Sequence, residues 1–144
     1  MNQFSRSLPM MLYRTLDSIM PSFREIFLEF GITEQQWRVL RVLWENNGCN
    51  LQSLAQATLI SSPSLVGVVD RLERVDLVER RRSEIDRRVV NIFVTNQGKA
   101  LELAVQSRVD AAHAVLKASI TPASWESLFN AMDEVANLAI TTKN

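Results

Sequence analysis

A mainly α-helical chain with one small β-hairpin is the fold class this sequence predicts, and three observations predict it. Apolar residues recur near the 3.6-residue helical period along most of the length. Two stretches rich in β-branched residues with partial alternation, Leu77–Arg82 and Arg88–Val94, flank the polar stretch Ser83-Glu84-Ile85-Asp86-Arg87. Four Gly and four Pro in 144 residues leave little material for a turn-rich β-sandwich.

The elements follow in order. Residues 7–30 carry Leu8, Met11, Leu12, Leu16, Ile19, Phe23, Ile26, Phe27 and Phe30, the apolar stripe of an amphipathic helix. Pro21 falls inside it, where the missing donor and the crowded preceding turn predict a kink near Met20, or else a restart at Pro21. Gly31 closes the helix as a left-handed C-terminal cap. Thr33 opens a second helix with Gln36 three residues later, the spacing of a capping box. Trp37, Leu40, Val42, Leu43 and Trp44 form its apolar side, and Asn46-Asn47-Gly48 stops it. Asn50 caps a short third helix, Leu51–Thr58, with Leu51, Leu54 and Ala55 inward. In Ser61-Ser62-Pro63 a serine serves as N-cap and proline as the first helical residue of a fourth helix, which runs to Arg74 or Val75. Leu65, Val68, Val69 and Leu72 make its packing stripe, which leaves Ser64, Val66, Gly67, Asp70 and Arg71 on the other side. After the hairpin, Thr95 caps a fifth helix from Asn96 to about Ser119, and Thr121-Pro122 opens a last helix to about Ala139.

A short helix, a tight connection, a second helix and then a two-stranded ribbon make a winged helix-turn-helix. It spans residues 33–95. Residues 1–32 and 96–144 form a helical region outside it, with more apolar surface than a small lobe needs, from Leu101, Val105, Val109, Val115 and Leu116 to Leu128, Phe129, Met132, Val135 and Leu138. That excess predicts a C2 homodimer in which the outer helices of two chains pack together.

Composition narrows the function. Apolar residues at 47% and charged residues at 22% describe a soluble globular protein, and no apolar run approaches a membrane span. Residues Met1 to Arg6 lack a secretory layout, so a cytoplasmic location is expected. One cysteine, Cys49, forms no internal disulfide, and one histidine, His113, builds no metal cluster. With no nucleotide loop, triad spacing or ligand set, neither enzymatic activity nor a cofactor is expected.

Net charge is zero, yet its distribution is uneven. The 18 positions from Arg71 to Arg88 hold seven arginines (Arg71, Arg74, Arg80, Arg81, Arg82, Arg87 and Arg88) against five carboxylates, a balance of +2. Arginine matches phosphates and guanine edges with a bidentate fork. The candidate contacts to double-stranded DNA are therefore Ser62, Ser64, Val66, Gly67 and Arg71 on the fourth helix, aimed at the major groove. Arg80, Arg82, Asp86, Arg87 and Arg88 on the hairpin are the candidates for the minor groove. The other reading of the same arginines is a solvated, salt-bridged hairpin on a winged helix that binds another protein.

Three stretches then carry a resemblance. Asp70-Arg71-Leu72-Glu73-Arg74-Val75-Asp76-Leu77-Val78-Glu79-Arg80, then Asp86-Arg87-Arg88, then Val94-Thr95-Asn96-Gln97-Gly98 resemble the core signature of MarR-type transcription regulators. The likeness runs from about Leu8 to Leu138. It implies a homodimeric winged-helix repressor or activator, with the fourth helix as recognition helix, Asp86 bracing the wing, and Arg88 or Arg87 meeting DNA. Leu8-Pro9, Arg14, Phe23-Arg24, Thr33 to Leu43 and Pro63 to Gly67 are similar to the homoprotocatechuate-operon regulators within that family. This implies control of aromatic catabolism by a small aromatic carboxylate. Asp76 stands where the family has glycine, and Val66 where threonine is common.

An effector site is expected where Arg14 and Trp37, with Arg38 or Arg41, supply a carboxylate fork and a ring wall. The bland readings are core packing for Trp37 and an interhelical salt bridge or phosphate contact for Arg38. Cys49 is the alternative trigger, a redox-responsive thiol whose pKa the following helix N-terminus lowers, set against a small packed thiol.

Overall fold

The computed structural model describes residues 6–141, with side chains through Leu138. The expectations placed on residues 1–5 and 142–144, the missing secretory layout and the extreme ends of the outer helical region, lie outside the described residues. Six helices and three short strands follow in the order α1 (Leu8–Glu29), α2 (Glu34–Glu45), β1 (Cys49–Asn50), α3 (Leu51–Thr58), α4 (Ser62–Arg74), β2 (Val78–Arg82), β3 (Val90–Val94), α5 (Asn96–Ala118) and α6 (Pro122–Thr141). Two compact units are present, divided between Arg108 and Val109. Among the described residues no helix is long and apolar enough to cross a membrane.

Local signals in the sequence account for the helix ends. α1 runs as one helix through Pro21, so it does not restart there. At its end Gly31 takes φ +67°. The Ile32 and Gly31 amides donate to the carbonyls of Phe27 and Leu28 at 3.0 and 3.1 Å, the paired bonds of a Schellman cap. Thr33 and Gln36 form the expected reciprocal box: each backbone amide donates to the other's side chain, at 2.9 and 3.1 Å. Asn50 accepts the Ser53 amide at 2.8 Å and caps α3. α4 begins one residue earlier than expected, with Ser61 as N-cap and Pro63 in the second position. The Ser61 hydroxyl donates to Ser64 Oγ at 3.0 Å rather than capping a backbone amide.

The first unit is built on one core. Val39, Leu40 and Leu43 of α2, Leu54 of α3, and Leu65, Val68, Val69 and Leu72 of α4 are completely buried, as is Ile92 of β3. Phe23, Ile26 and Phe27 of α1 join them, and a two-pronged Arg108–Glu29 ion pair at 2.6 and 3.0 Å ties α5 to the end of α1. In the second unit Trp125 and Phe129 of α6 meet at 5.0 Å between ring centroids.

The sheet corrects the sequence reading in two ways. It has three strands, in the order β1-β3-β2, because Cys49 and Asn50 pair antiparallel with Ile92 and Asn91. A two-residue strand has no periodicity to read, so the sequence shows only the hairpin. Arg88 and Val89 also leave the strand: β2 and β3 pair from Val78↔Val94 to Arg82↔Val90, which makes the tip residues 83–89. The Val89 amide donates to the Asp86 carbonyl at 2.9 Å in a local turn, which ends the ladder at Val90.

Candidate nucleic-acid interface

Two surfaces of the first unit carry the candidate contacts, the outer face of α4 and the wing formed by β2, β3 and their tip. The four apolar residues of the α4 stripe are buried, which turns Ser62, Ser64, Val66, Asp70 and Arg71 outward with Gly67 half-buried. The Arg71 guanidinium lies back over Gly67, where an added Cβ would stand 3.6 Å from its Nη1. That distance is ordinary contact, so alanine would fit there and only a longer side chain would lift the guanidinium off the helix face.

Asp76 settles how α4 turns into the wing. It takes φ +60°, the left-handed conformation for which glycine is the usual residue. The Leu77 and Asp76 amides donate to the carbonyls of Leu72 and Glu73, both at 3.0 Å, in a second Schellman cap. The Asp76 carbonyl in turn accepts the Thr95 hydroxyl at 2.6 Å. Thr95 Oγ1 also accepts the Gly98 amide at 3.1 Å, so one threonine joins the end of α4 to the start of α5.

The arginines divide into braces and free ends. Arg80 is a brace: its guanidinium donates to Asp70 at 2.6 Å and Glu73 at 2.9 Å, and its backbone amide donates to Glu73 at 2.9 Å. Burial works against its charge, but the hydrogen bonds and charges of Asp70 and Glu73 outweigh burial and push its pKa above the ordinary arginine value. Asp70 and Glu73, which sequence reasoning did not single out for this role, thereby fix α4 against β2. Only the fold places this strand opposite those carboxylates, so their spacing alone carried no signal. Arg82 donates to the Arg87 carbonyl at 2.9 Å and closes the neck of the tip. Arg81 pairs with Glu79 and lies 4.5 Å from the centre of the Phe93 ring.

At the tip, Asp86 grips Arg88. Its carboxylate accepts from Arg88 Nε at 3.1 Å, from Nη2 at 3.2 Å and from the Arg88 backbone amide at 3.1 Å. These bonds, the side-chain ones first, hold the Asp86 carboxyl below its usual pKa. The Arg88 side chain nevertheless stays 91% exposed, so it is held in one pose with its outer surface open. Arg87 beside it is also exposed.

The four candidate effector residues each have different surroundings within the chain. Trp37 stacks on Phe27 with centroids 5.0 Å apart and planes 24° apart, and its buried Nε1 has no hydrogen-bond partner among the described residues. Phe27 also lines a cavity of about 280 Å³ with Arg24, Leu28, Ile32, Thr33 and Glu34. Arg38 donates to the Thr58 carbonyl at the end of α3, and Arg41 pairs with Glu45 at 2.8 Å. Arg14 lines a separate, open depression with Arg6, Met11, Thr15 and Ser18.

Cys49 departs from the expectation of a lowered pKa. It sits on β1, its thiol donates to the Asn46 carbonyl at 2.8 Å, and burial pushes its pKa up. Asn50, not Cys49, occupies the cap of α3. Among the described residues no group of His, Cys, Asp and Glu side chains is placed to hold a metal ion.

Comparison with known proteins places this geometry. The MarR family model matches residues 32–90, which cover α2 through the wing tip. The homoprotocatechuate degradative operon repressor of Escherichia coli is 33% identical over 128 residues, 89% of this chain and 86% of that protein. Among solved structures, the transcriptional repressor CouR bound to a 23-mer DNA duplex superposes with a TM-score of 0.86 at 26% identity, over 94% of this chain and 96% of that one. NadR in complex with 4-hydroxyphenylacetate gives 0.83 at 29% identity, over 94% and 98%. With its winged helix-turn-helix, its signature from Asp70 to Gly98 and a repressor among its relatives, this chain belongs to the MarR family of transcription regulators.

Proposed function

We propose that this chain is a cytoplasmic, homodimeric transcriptional repressor that binds an inverted-repeat operator and is released by a small aromatic acid. The observation that carries the DNA reading is the Asp86–Arg88 grip: a guanidinium fixed in pose yet 91% exposed, at the tip of a wing braced to α4 through Arg80. Fixing the side chain beforehand lowers the entropy lost on docking. α4 enters the major groove with Ser62, Ser64, Val66, Gly67 and Arg71, and Arg87 and Arg88 enter the flanking minor groove. Arg80, Arg82 and Asp86 act behind them as positioning residues. CouR, whose structure was solved on DNA, has the same fold over nearly the whole chain.

The lobe that does this is residues 33–95, and residues 1–32 and 96–144 supply dimerisation. Leu8, Met11, Leu12 and Leu16 on α1, and Leu128, Phe129, Val135 and Leu138 on α6, leave large apolar surfaces open in the single chain. A second copy covers them. The two recognition helices then meet half-sites about 10 bp apart, centre to centre.

Three measurements test both parts. The protein is expected to select a family of inverted-repeat duplexes from random DNA, to sediment as a dimer at micromolar concentration, and to lose affinity steeply with salt. A strictly monomeric species, or weak and salt-insensitive association with every duplex, would remove this reading in favour of a protein-binding module.

The effector site is proposed at Trp37. A buried indole N–H without an acceptor is costly, and a ligand oxygen would satisfy it while the Phe27–Trp37 pair supplies an aromatic wall. Arg14, Arg38 and Arg41 are the candidate carboxylate partners once two chains are assembled. The relative NadR was solved with 4-hydroxyphenylacetate, a phenolic acid of the right chemistry. Adding 4-hydroxyphenylacetate and related phenolic acids to the protein–DNA complex is expected to weaken it by about 5- to 150-fold, the usual range of such coupling. Trp37→Phe is expected to abolish the response while leaving basal DNA affinity unchanged. An unchanged affinity across the acids would exclude this effector class.

A further inference from the structure

The wing tip carries a side chain that charge does not explain. Ile85 is 100% exposed, the most exposed large apolar residue among those described. It makes no packing contact that would stabilise the fold, and water covers its whole apolar surface. The loop presenting it is nevertheless ordered by its own bonds. Ser83 Oγ accepts the amides of Ile85 at 3.2 Å and Asp86 at 3.3 Å, and the Ser83 amide donates to the Val89 carbonyl at 2.9 Å. Arg82 closes the neck on Arg87, and Asp86 holds Arg88. An isoleucine is therefore presented in a fixed position at the apex, with Arg82, Arg87 and Arg88 within three residues of it in sequence.

An apolar apex among guanidinium groups matches the chemistry of the DNA minor groove, where sugar faces form apolar walls between two rows of phosphates. Side chains such as Ile and Leu enter that groove as wedges beside arginines and partly unstack a base step. We infer that Ile85 is an apolar minor-groove contact that packs between the sugar walls and loosens the base step beneath the wing. This rests on the DNA-binding reading above. Arg87 and Arg88 supply the attraction, which is sequence-tolerant and salt-dependent. Ile85 adds a contact independent of salt, and favours steps that open easily, such as TA and CA.

The test uses duplexes that the parent protein selects from random DNA, with 2-aminopurine placed in the step under the wing. Ile85→Ser leaves every charge and every tip hydrogen bond in place, and a fully exposed position carries no folding penalty. It is expected to lose about tenfold in affinity per wing, about a hundredfold for a dimer that loses two aliphatic contacts, with the salt slope unchanged. The 2-aminopurine fluorescence rise on binding is expected to fall with it, and Ile85→Leu to restore both. Equal affinity and equal fluorescence for Ile85→Ser and the parent would overturn the inference while leaving DNA binding intact. So would a changed salt slope, which would mean that the substitution had disturbed the arginines. A parent that selects no duplex would refute the DNA reading itself, and retention of the parent but not Ile85→Ser on phosphatidylserine vesicles would assign the apex to a lipid surface.

Discussion

Gly98→Ala is expected to destabilise the folded chain by about 2 kcal/mol, although alanine is the better helix former. Gly98 lies in the first turn of α5, buried, where an added Cβ would stand 2.3 Å from the Leu77 carbonyl oxygen and 2.6 Å from Val94 Cγ1. The carbonyl cannot retreat freely, because it accepts the Thr95 amide at 3.1 Å, and the Gly98 carbonyl itself accepts Trp44 Nε1 at 3.1 Å. Overpacking against backbone at such a site costs at the upper end of about 1–3 kcal/mol, and the gain in helix propensity returns about 1 kcal/mol. Gly67→Ala provides the contrast. There the added Cβ meets only the Arg71 guanidinium at 3.6 Å, ordinary contact, and the same substitution is expected to stabilise by up to about 1 kcal/mol. Urea unfolding at one fixed protein concentration distinguishes the two, since dimerisation makes midpoints depend on concentration. Midpoints shifting in the same direction for both variants would contradict the packing argument.

Arg88→Ala is expected to weaken DNA binding about 10- to 100-fold across all duplex sequences. An exposed phosphate or minor-groove arginine contributes about 0.7–1.4 kcal/mol, less than a bidentate base contact, and a dimer loses two of them. The log–log salt slope should fall by about two, one per wing. Asp86→Ala separates charge from pose: the arginine remains but its fixed orientation goes, so a smaller loss of about three- to tenfold is expected, at an unchanged slope. Fluorescence anisotropy over a salt series reads both quantities. The Asp86 carboxyl is held below its ordinary value, so its interaction with Arg88 is present above that pKa and lost as pH falls through it. The wing is therefore expected to stay braced from about pH 5 to 8, with the Arg88 Nε–H resonance of the free protein unchanged across that range. Equal slopes for Arg88→Ala and the parent would show that the exposed guanidinium does not meet phosphate.

Several elements were legible because their causes are local. The Thr33–Gln36 box, the Gly31 cap and the apolar stripe of α4 each depend on residues within a turn or two of one another. Position 76 was marked only by resemblance: aspartate stands where the family has glycine, and the structure shows that it takes the left-handed conformation all the same. Other features were not legible because their causes are distant. Leu59 ends α3 at φ +57°, a conformation that no property of leucine announces. Strand β1 exists only because β3 offers it a free edge, and Val94 donates to the Asn47 side chain at 2.9 Å where backbone pairing gives out.

The candidate site divides the same way. Its residue types, a polar α4 face and an arginine-rich ribbon, were readable from periodicity and charge. Which arginines are occupied was not. Arg80 and Arg88 look alike in sequence, yet Arg80 is held between two carboxylates of α4, while Arg88 is gripped from one side and open on the other. That difference depends on where β2 passes α4, a distance set by the packed core.

The sequence by itself determined the helices, their caps, the hairpin and the face of α4 left to solvent, because hydrogen bonding within a turn and the helical period act over a few residues. Tertiary structure alone decided the third strand, the bracing role of Asp70 and Glu73, the unpartnered indole N–H of Trp37 and the tight seat of Gly98. Each of these is a contact between segments far apart in the chain, and such contacts exist only once burial of the shared core has brought the segments together.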